Sequence, residues 1–210
     1  HHDWPLIDAV GKATRSPGAL ELGAPAQPGD GNEGVRDLPG NERGLPAERI
    51  IRRRRSAVDL DGRTSTSQEQ FFGMLLRTVS RPGRFPFPVL HWSPKVALAL
   101  FVHRVDGLEP GLYLLARDAT QGPKLRAALR TDFEWRKPSH CPVGLDLFRL
   151  QAGDFREAAQ RVSCGQEIAA DGVFSLGMLA EFEGVLRRAG PAGYPRLFWE
   201  TGLIGQVLYL

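Results

Sequence analysis

The sequence predicts a fold of mixed helices and strands, in which an antiparallel hairpin is joined to amphipathic helices. Val96–Val102 is an unbroken apolar run, which is typical of a strand covered on both faces. A turn cluster follows at 106–111, and Leu112–Leu115 returns as the hairpin partner of that strand. Between Phe71 and Val79 the apolar residues fall on one face, so we expect a helix that ends before Pro82.

Local patterns predict the remaining elements. Ser67-Gln68-Glu69-Gln70 matches a capping box, in which Ser67 bonds forward and Gln70 reaches back. A last helix begins near Tyr194, and its apolar residues wrap much of its circumference, so we expect it to be deeply buried. It lacks a stop signal before Leu210, so we expect the natural polypeptide to continue. The other predicted elements are helices at Lys124–Arg130, from Asp154 to about Cys164 and near Phe182–Arg188, and strands at Asp132–Trp135, Leu145–Leu150 and Val173–Leu179.

Length and composition suit a single large domain or a domain with an arm. The chain has 210 residues and a net charge of +3, which is too mildly basic to indicate a nucleic-acid partner without a clustered basic face. It contains no apolar run near the roughly 20 residues that span a bilayer, so we expect no membrane partner. Cys141 and Cys164 stand alone, which argues against a zinc site or a disulfide framework and fits reduced thiols in the cytoplasm.

The N-terminal part has a different composition from the rest. From Pro17 to Pro46, twelve of thirty residues are Gly or Pro, so this stretch cannot sustain a helix or a central strand. We expect residues 1–46 to form an extended arm, with a short amphipathic turn at Trp4–Val10 anchored by Trp4 and Ile7, and residues 47–210 to form the folded domain.

An arginine cluster ends a short predicted helix that begins near Pro46. At about 100° per residue, Ala47, Ile50 and Ile51 define its inward face, and Arg54 points the same way, with Arg55 at the flank. An inward arginine close to a hydroxyl, here that of Ser56, favours a buried anion such as a phosphate. The alternative is that the cluster only answers the negative end of the helix dipole and stays in water.

The loop from Arg81 to Pro94 combines four prolines and one glycine with several aromatic residues. Such a loop either plugs an edge of the core or lines a pocket. Both interpretations remain open from the residues alone.

Three stretches in order, Arg54-Arg55-Ser56, the hairpin Val102–Tyr113 and the terminal Tyr194–Leu210, resemble the FMN-dependent nitroreductase family. The turn Val-Asp-Gly-Leu-Glu-Pro-Gly-Leu-Tyr within the hairpin is most similar to the branch of azoline dehydrogenases of peptide natural-product biosynthesis. The resemblance covers roughly Ile50 to Leu210. It implies an α+β fold with a central, mostly antiparallel sheet wrapped by helices, and FMN at the interface of a homodimer or of a tandem-domain pseudo-dimer.

The resemblance also implies site residues. Arg54 and Ser56 would meet the ribityl phosphate, with Arg55 between them. The loop that contacts the flavin pyrimidine would fall near 91–94, which makes Trp92 and Ser93 candidates, although the usual Ser-Asn or Ser-Gly-Gly pattern is absent. Two residues past the serine, Val58 replaces the Arg or Lys that stabilises negative charge on the reduced ring. The family's last glycine-rich flavin motif would lie past Leu210.

The function implied is an FMN-dependent oxidoreductase with ping-pong turnover. NAD(P)H or a heterocyclic small-molecule substrate would donate electrons, and a second acceptor would remove them, while the cofactor supplies the redox chemistry. No catalytic acid or base is evident. The alternative, motivated by Val58 and the missing loop pattern, is a catalytically weak or inactive scaffold or dimerisation domain. A nucleic-acid binder is disfavoured, because the basic cluster lacks interleaved aromatics and a continuous basic face.

Overall fold

The computed structural model of the chain describes residues 5–15, 46–81 and 86–209. In these residues eight helices accompany six strands. The helices are α1 (Pro5–Thr14), α2 (Ala47–Arg53), α3 (Gln68–Thr78), α4 (Gln121–Ala128), α5 (Arg156–Val162), α6 (Ile168–Asp171), α7 (Phe182–Ala189) and α8 (Gly193–Tyr209). The strands are β1 (Thr66–Ser67), β2 (Val96–Val102), β3 (Val105–Asp106), β4 (Gly111–Ala116), β5 (Asp146–Ala152) and β6 (Phe174–Ala180).

The main sheet has four antiparallel strands in the order β5-β4-β2-β6. The predicted hairpin is confirmed, since β2 and β4 pair directly with Leu98 opposite Leu115. Gly111 begins β4 so close to β5 that an added Cβ would lie 2.4 Å from the backbone oxygen of Gln151. Glycine is therefore required where these two strands converge.

A second, two-stranded sheet pairs β1 with β3 in parallel. It joins the start of α3 to the turn that follows β2, with Thr66 opposite Val105. The sequence gives no sign of this pair, because strands of two residues carry no periodicity.

One hydrophobic core lies between the main sheet and helices α3 and α8. Each fully buried Val, Leu, Ile or Phe side chain contributes about 1.5–3 kcal/mol to folding because it is removed from water. The core includes the completely buried Phe71, Leu75, Val96, Leu98, Leu100, Leu115, Leu145, Leu147 and Ile204.

The capping box at the start of α3 is half confirmed. The Ser67 hydroxyl accepts from the Gln70 backbone N–H at 3.3 Å, as predicted. The Gln70 side chain, however, accepts from the Thr66 hydroxyl at 2.9 Å. The return half of the motif is thus replaced by a side-chain bond to the residue before the cap.

The expectation that α8 is deeply buried holds for one face only. Leu197 and Ile204 are buried, but Phe198 and Trp199 are 59% and 53% exposed. Apolar residues around a whole helix therefore do not all face the core here, and the outward aromatic face needs a separate explanation.

The strand predicted at Asp132–Trp135 is wrong. Only Arg136 forms a bridge in this region, opposite Arg149 of β5. Trp135 has a φ of 51°, and this left-handed conformation turns the chain out of an extended path. Its ring packs edge-on against Phe148 instead, with 5.8 Å between the ring centroids.

The short amphipathic turn expected at Trp4–Val10 overlaps a longer helix, α1, which spans Pro5–Thr14. Leu6, Ile7 and Val10 share one side of α1, which explains why residues 5–14 form a helix despite the glycine-rich stretch that follows. The extended segment itself, at 16–45, lies outside the described residues. Nowhere in the described part of the chain does a helix have the length and apolar character that crossing a bilayer requires.

Candidate functional site

The predicted inward orientation of Arg54 is wrong. Helix α2 ends at Arg53, and Arg54 leaves it with φ −56° and ψ 127°. The angular spacing of a helix therefore stops before this residue, and its side chain is exposed. Ile51, expected on the inward face, is also 68% exposed.

The arginine cluster instead reaches the end of α8. The Arg54 guanidinium lies 5.8 Å from the centre of the Tyr209 ring, a cation–π contact. Arg55 turns back on its own segment, where its Nη1 donates to the carbonyls of Arg52 at 3.1 Å and Arg54 at 2.7 Å. Ser56 is exposed. The phosphate-binding role of these residues stays a prediction.

Trp92 lies against the exposed aromatic face of α8. Its ring is 6.3 Å from that of Trp199, with the planes inclined by 36°, and the Arg196 guanidinium lies 5.5 Å from its centre. Trp92 Nε1 and Arg196 Nε are both buried, and neither has an acceptor among the described residues. Two neighbouring donors of this kind favour an acceptor supplied from outside these residues. Ser93, beside Trp92, is exposed.

Glu200 fixes the end of this loop to α8. Its fully buried carboxylate accepts from the backbone N–H groups of Lys95, at 3.0 Å, and Val96, at 3.1 Å. It also accepts from Arg117 Nη1 at 2.5 Å, while Arg117 Nε donates to the Thr78 carbonyl at 2.7 Å. Burial lowers the pKa of Arg117, and the Glu200 carboxylate opposes that shift.

This ion pair connects α3, β2, β4 and α8. From the sequence, Glu200 was included only within the Tyr194–Leu210 stretch that resembles the family, and Arg117 was missed entirely. The available signal was the position of Arg117 directly after the apolar run of β4. An arginine at the end of a buried strand is expected to need a carboxylate or carbonyl partner. The loop's Phe87 is buried under the Arg117 guanidinium, 4.7 Å from it, so this part of the loop does plug the core edge.

Helix α8 thus touches both predicted parts of the site. Tyr209 contacts Arg54 and Trp199 contacts Trp92. These two residues of α8 are ten positions apart, which corresponds to about 15 Å along the helix axis. The arrangement offers a cationic group at one end and ring and N–H groups at the other. It suits an elongated ligand with an anionic end and acceptor-bearing rings, lying on a face that is open to solvent.

The predicted residues line neither of two clefts on the described part of the structure. Two surface clefts are formed by described residues, one near His103 and one between α1 and the 190–194 segment, and neither is lined by Arg54, Arg55, Ser56, Trp92 or Ser93. Val58, at the position where the family carries a cation, is 92% exposed.

Comparisons with known proteins bear on the fold. No protein-family model matches the chain, and no curated protein matches it. Among solved structures, a protein from Anabaena variabilis provisionally described as a nitroreductase matches with a TM-score of 0.54 and 18% identity. The match covers 77% of this chain and 29% of that one.

The four-stranded antiparallel sheet with its helices is thus a nitroreductase-like fold. The chain spans less than a third of the length of the structure it matches. At this identity the likeness concerns the fold.

Proposed function

We propose that the chain is an FMN-dependent oxidoreductase domain of the nitroreductase type. The observation that carries the proposal is the pair of buried, unmatched donors on Trp92 and Arg196 within a nitroreductase-like fold. The carbonyl oxygens and ring nitrogens of an isoalloxazine are acceptors of the kind these donors require.

The protein's own residues would bind and orient the cofactor. Arg54, Arg55 and Ser56 would form the anion-binding end of the site and would hold the phosphate. Trp92 and Ser93 would lie beside the ring. Arg196 would bring a positive charge to the flavin ring and would replace the Arg or Lys that the family carries at the position of Val58. This charge would favour negative charge on the edge of the reduced ring.

When bound, FMN would supply the two-electron chemistry of ping-pong turnover, with NAD(P)H or a heterocyclic small molecule as donor and a second molecule as acceptor. The exposed aromatics of α8 would be covered in a homodimer or in a tandem-domain pseudo-dimer, which would also shield the ring from water. We place the activity in the cytoplasm, because Cys141 and Cys164 are both free.

The test is a titration of the full chain with FMN. Binding is measured by the quenching of flavin fluorescence and by the thermal unfolding midpoint of the protein. We expect saturable quenching and a midpoint that rises with FMN concentration. Arg54→Ala should weaken FMN binding about tenfold or more. The matched control is Arg52→Ala, whose side chain pairs with Glu48 on the exposed side of α2 at 2.9 Å and should leave binding unchanged.

The second candidate function is a flavin-free scaffold or dimerisation domain. It is favoured by the exposed Val58 and by the position of the five predicted residues outside both clefts described above. This function would be supported, and the first excluded, if the purified protein is colourless, sediments as a dimer and keeps the same thermal midpoint when FMN is added.

A further inference from the structure

A separate cleft opens at the end of the sheet where β2 finishes. It has a volume of about 350 Å³, within the range of small-molecule sites. Three connections line it: His103 and Arg104 after β2, Glu109 before β4, and Asp154 and Arg156 after β5. We call it the His103 cleft.

His103 is the buried polar group of this cleft. Its side chain is 7% exposed, and Nε2 lies 3.0 Å from the Ala169 carbonyl oxygen. A carbonyl only accepts, so Nε2 carries the proton. Burial lowers the pKa of His103, so the ring is neutral at pH 7 and Nδ1 presents a lone pair. Nδ1 has no donor among the described residues.

Hydrogen-bond donors line the same cleft. Arg104 uses Nε and Nη2 on the carbonyls of Thr64, Asp171 and Gly172, and Arg156 uses Nε and Nη2 on Asp154. Within the described part of the chain, Nη1 of each guanidinium keeps its N–H donors free. The residues that line the cleft therefore combine one buried, unpartnered acceptor, His103 Nδ1, with several donors.

The charges of the lining cancel. Arg104 and Arg156 are matched by Glu109 and Asp154, and each carboxylate already binds an arginine, Arg149 or Arg156. An added cation would therefore meet no free carboxylate in the lining, whereas the Arg104 guanidinium has only carbonyl partners among the described residues. No group of three His, Cys, Asp or Glu side chains in residues 5–15, 46–81 and 86–209 is placed to hold a metal ion.

We propose that the His103 cleft binds a small molecule with adjacent N–H and C=O groups, such as an amide, a lactam or a ureide. Its N–H donates to Nδ1 of His103, and its carbonyl accepts from the arginine Nη1 groups. The site is independent of the proposed flavin site, because the seven residues of β2 place it about 20 Å from the loop that carries Trp92.

The test uses acetamide as the probe and N,N-dimethylacetamide as the matched control that lacks an N–H. Both are titrated into the full chain, isotope-labelled for NMR, while the histidine ring nitrogens and backbone amides are observed. Acetamide should shift the Nδ1 resonance of His103 and the amides of Gly153 and Asp154 saturably. The dimethylated probe should bind at least tenfold more weakly.

Two variants locate the binding site. Arg156→Gln removes a donor from the cleft wall and should weaken acetamide about fivefold. Arg161→Gln, on the same helix but paired with Glu157 at 2.6 Å outside the cleft, should leave binding unchanged. Arg156 is exposed, so the first variant should fold, and its amide spectrum verifies this.

Three outcomes would overturn the proposal. If neither probe shifts His103, the cleft holds water only. If both probes bind equally, it accepts them as an apolar surface without hydrogen-bond recognition. If the shifts cluster around Trp92 instead, the probe has found the other end of the sheet. None of these outcomes bears on FMN binding, which is measured separately.

Discussion

His103 shows how one buried side chain can make stability depend on pH. In the folded protein burial lowers the pKa of His103, with Arg104 adding to this shift and Asp154 opposing it. In the unfolded chain the ring has its ordinary pKa of about 6.5. The unfolded state therefore binds more protons below that pH, and stability must fall as the solution is acidified.

We predict that the free energy of unfolding decreases between pH 7.5 and pH 5.5 and that His103→Gln reduces this decrease. Urea unfolding at several pH values provides the measurement. His91→Gln is the control, because His91 is exposed and should leave the pH dependence intact. An unchanged slope in the His103 variant would assign the pH dependence to other groups.

At the scale of elements, the Arg117–Glu200 pair is the main cross-connection. One carboxylate binds the start of β2 and, through Arg117, the end of α3. Both side chains are removed from water, and the loss of one partner leaves the other as an uncompensated buried charge.

Glu200→Gln should therefore lower the free energy of unfolding by about 3–5 kcal/mol. Glu181→Gln is the matched control: Glu181 pairs with Lys124 at 3.1 Å near the surface, and its loss should cost less than about 1 kcal/mol. Chemical denaturation of both variants tests the difference. Equal, small losses would mean that Arg117 is satisfied without its carboxylate.

The cap of α3 gives a second prediction for an element. Ser67→Ala should cost about 1 kcal/mol, because the Gln70 N–H loses its acceptor. Gln70→Ala should cost less, since the Gln70 side chain bonds the exposed Thr66 hydroxyl and not the cap backbone. Unfolding midpoints of the two variants provide the measurement. If the full capping box forms in solution, Gln70→Ala should cost at least as much as Ser67→Ala.

Elements with a strong local pattern could be predicted from the sequence. The apolar run of β2 was predicted at Val96–Val102, where the structure has it, and α3 and α7 were close. Contacts between distant residues could not be predicted. Arg117 and Glu200 are 83 residues apart, and the His103 cleft forms where three connections converge, so no local periodicity signals either.

The site predictions fared differently, for a physical reason. Helical periodicity cannot orient Arg54, because α2 stops one residue earlier. The same helix wheel treated all apolar residues of α8 as core, whereas a short sheet buries only one face of a helix. Trp92 was selected through the resemblance, and its contacts with Trp199 and Arg196 are visible only in three dimensions.

At the scale of the whole molecule, α1 is peripheral. None of its residues is buried, and its main contacts are with α8 and the 190–192 turn. Deleting residues 1–15 should leave cooperative unfolding intact, with a loss below about 1.5 kcal/mol. By contrast, Ile204→Ala in the fully buried face of α8 should cost about 2–5 kcal/mol. Urea unfolding would contradict this contrast if the deletion destabilised the chain more than the core substitution.

Strand β2 gives the molecule two remote poles. Glu200 grips one terminus of the strand, and the His103 imidazole begins just past the other. Ligands bound at the two proposed sites, near Trp92 and in the His103 cleft, would not overlap, so both could bind at the same time. If either ligand did alter the affinity of the other, thermodynamic reciprocity would make the effect equal in both directions, and the strand would be its shortest route.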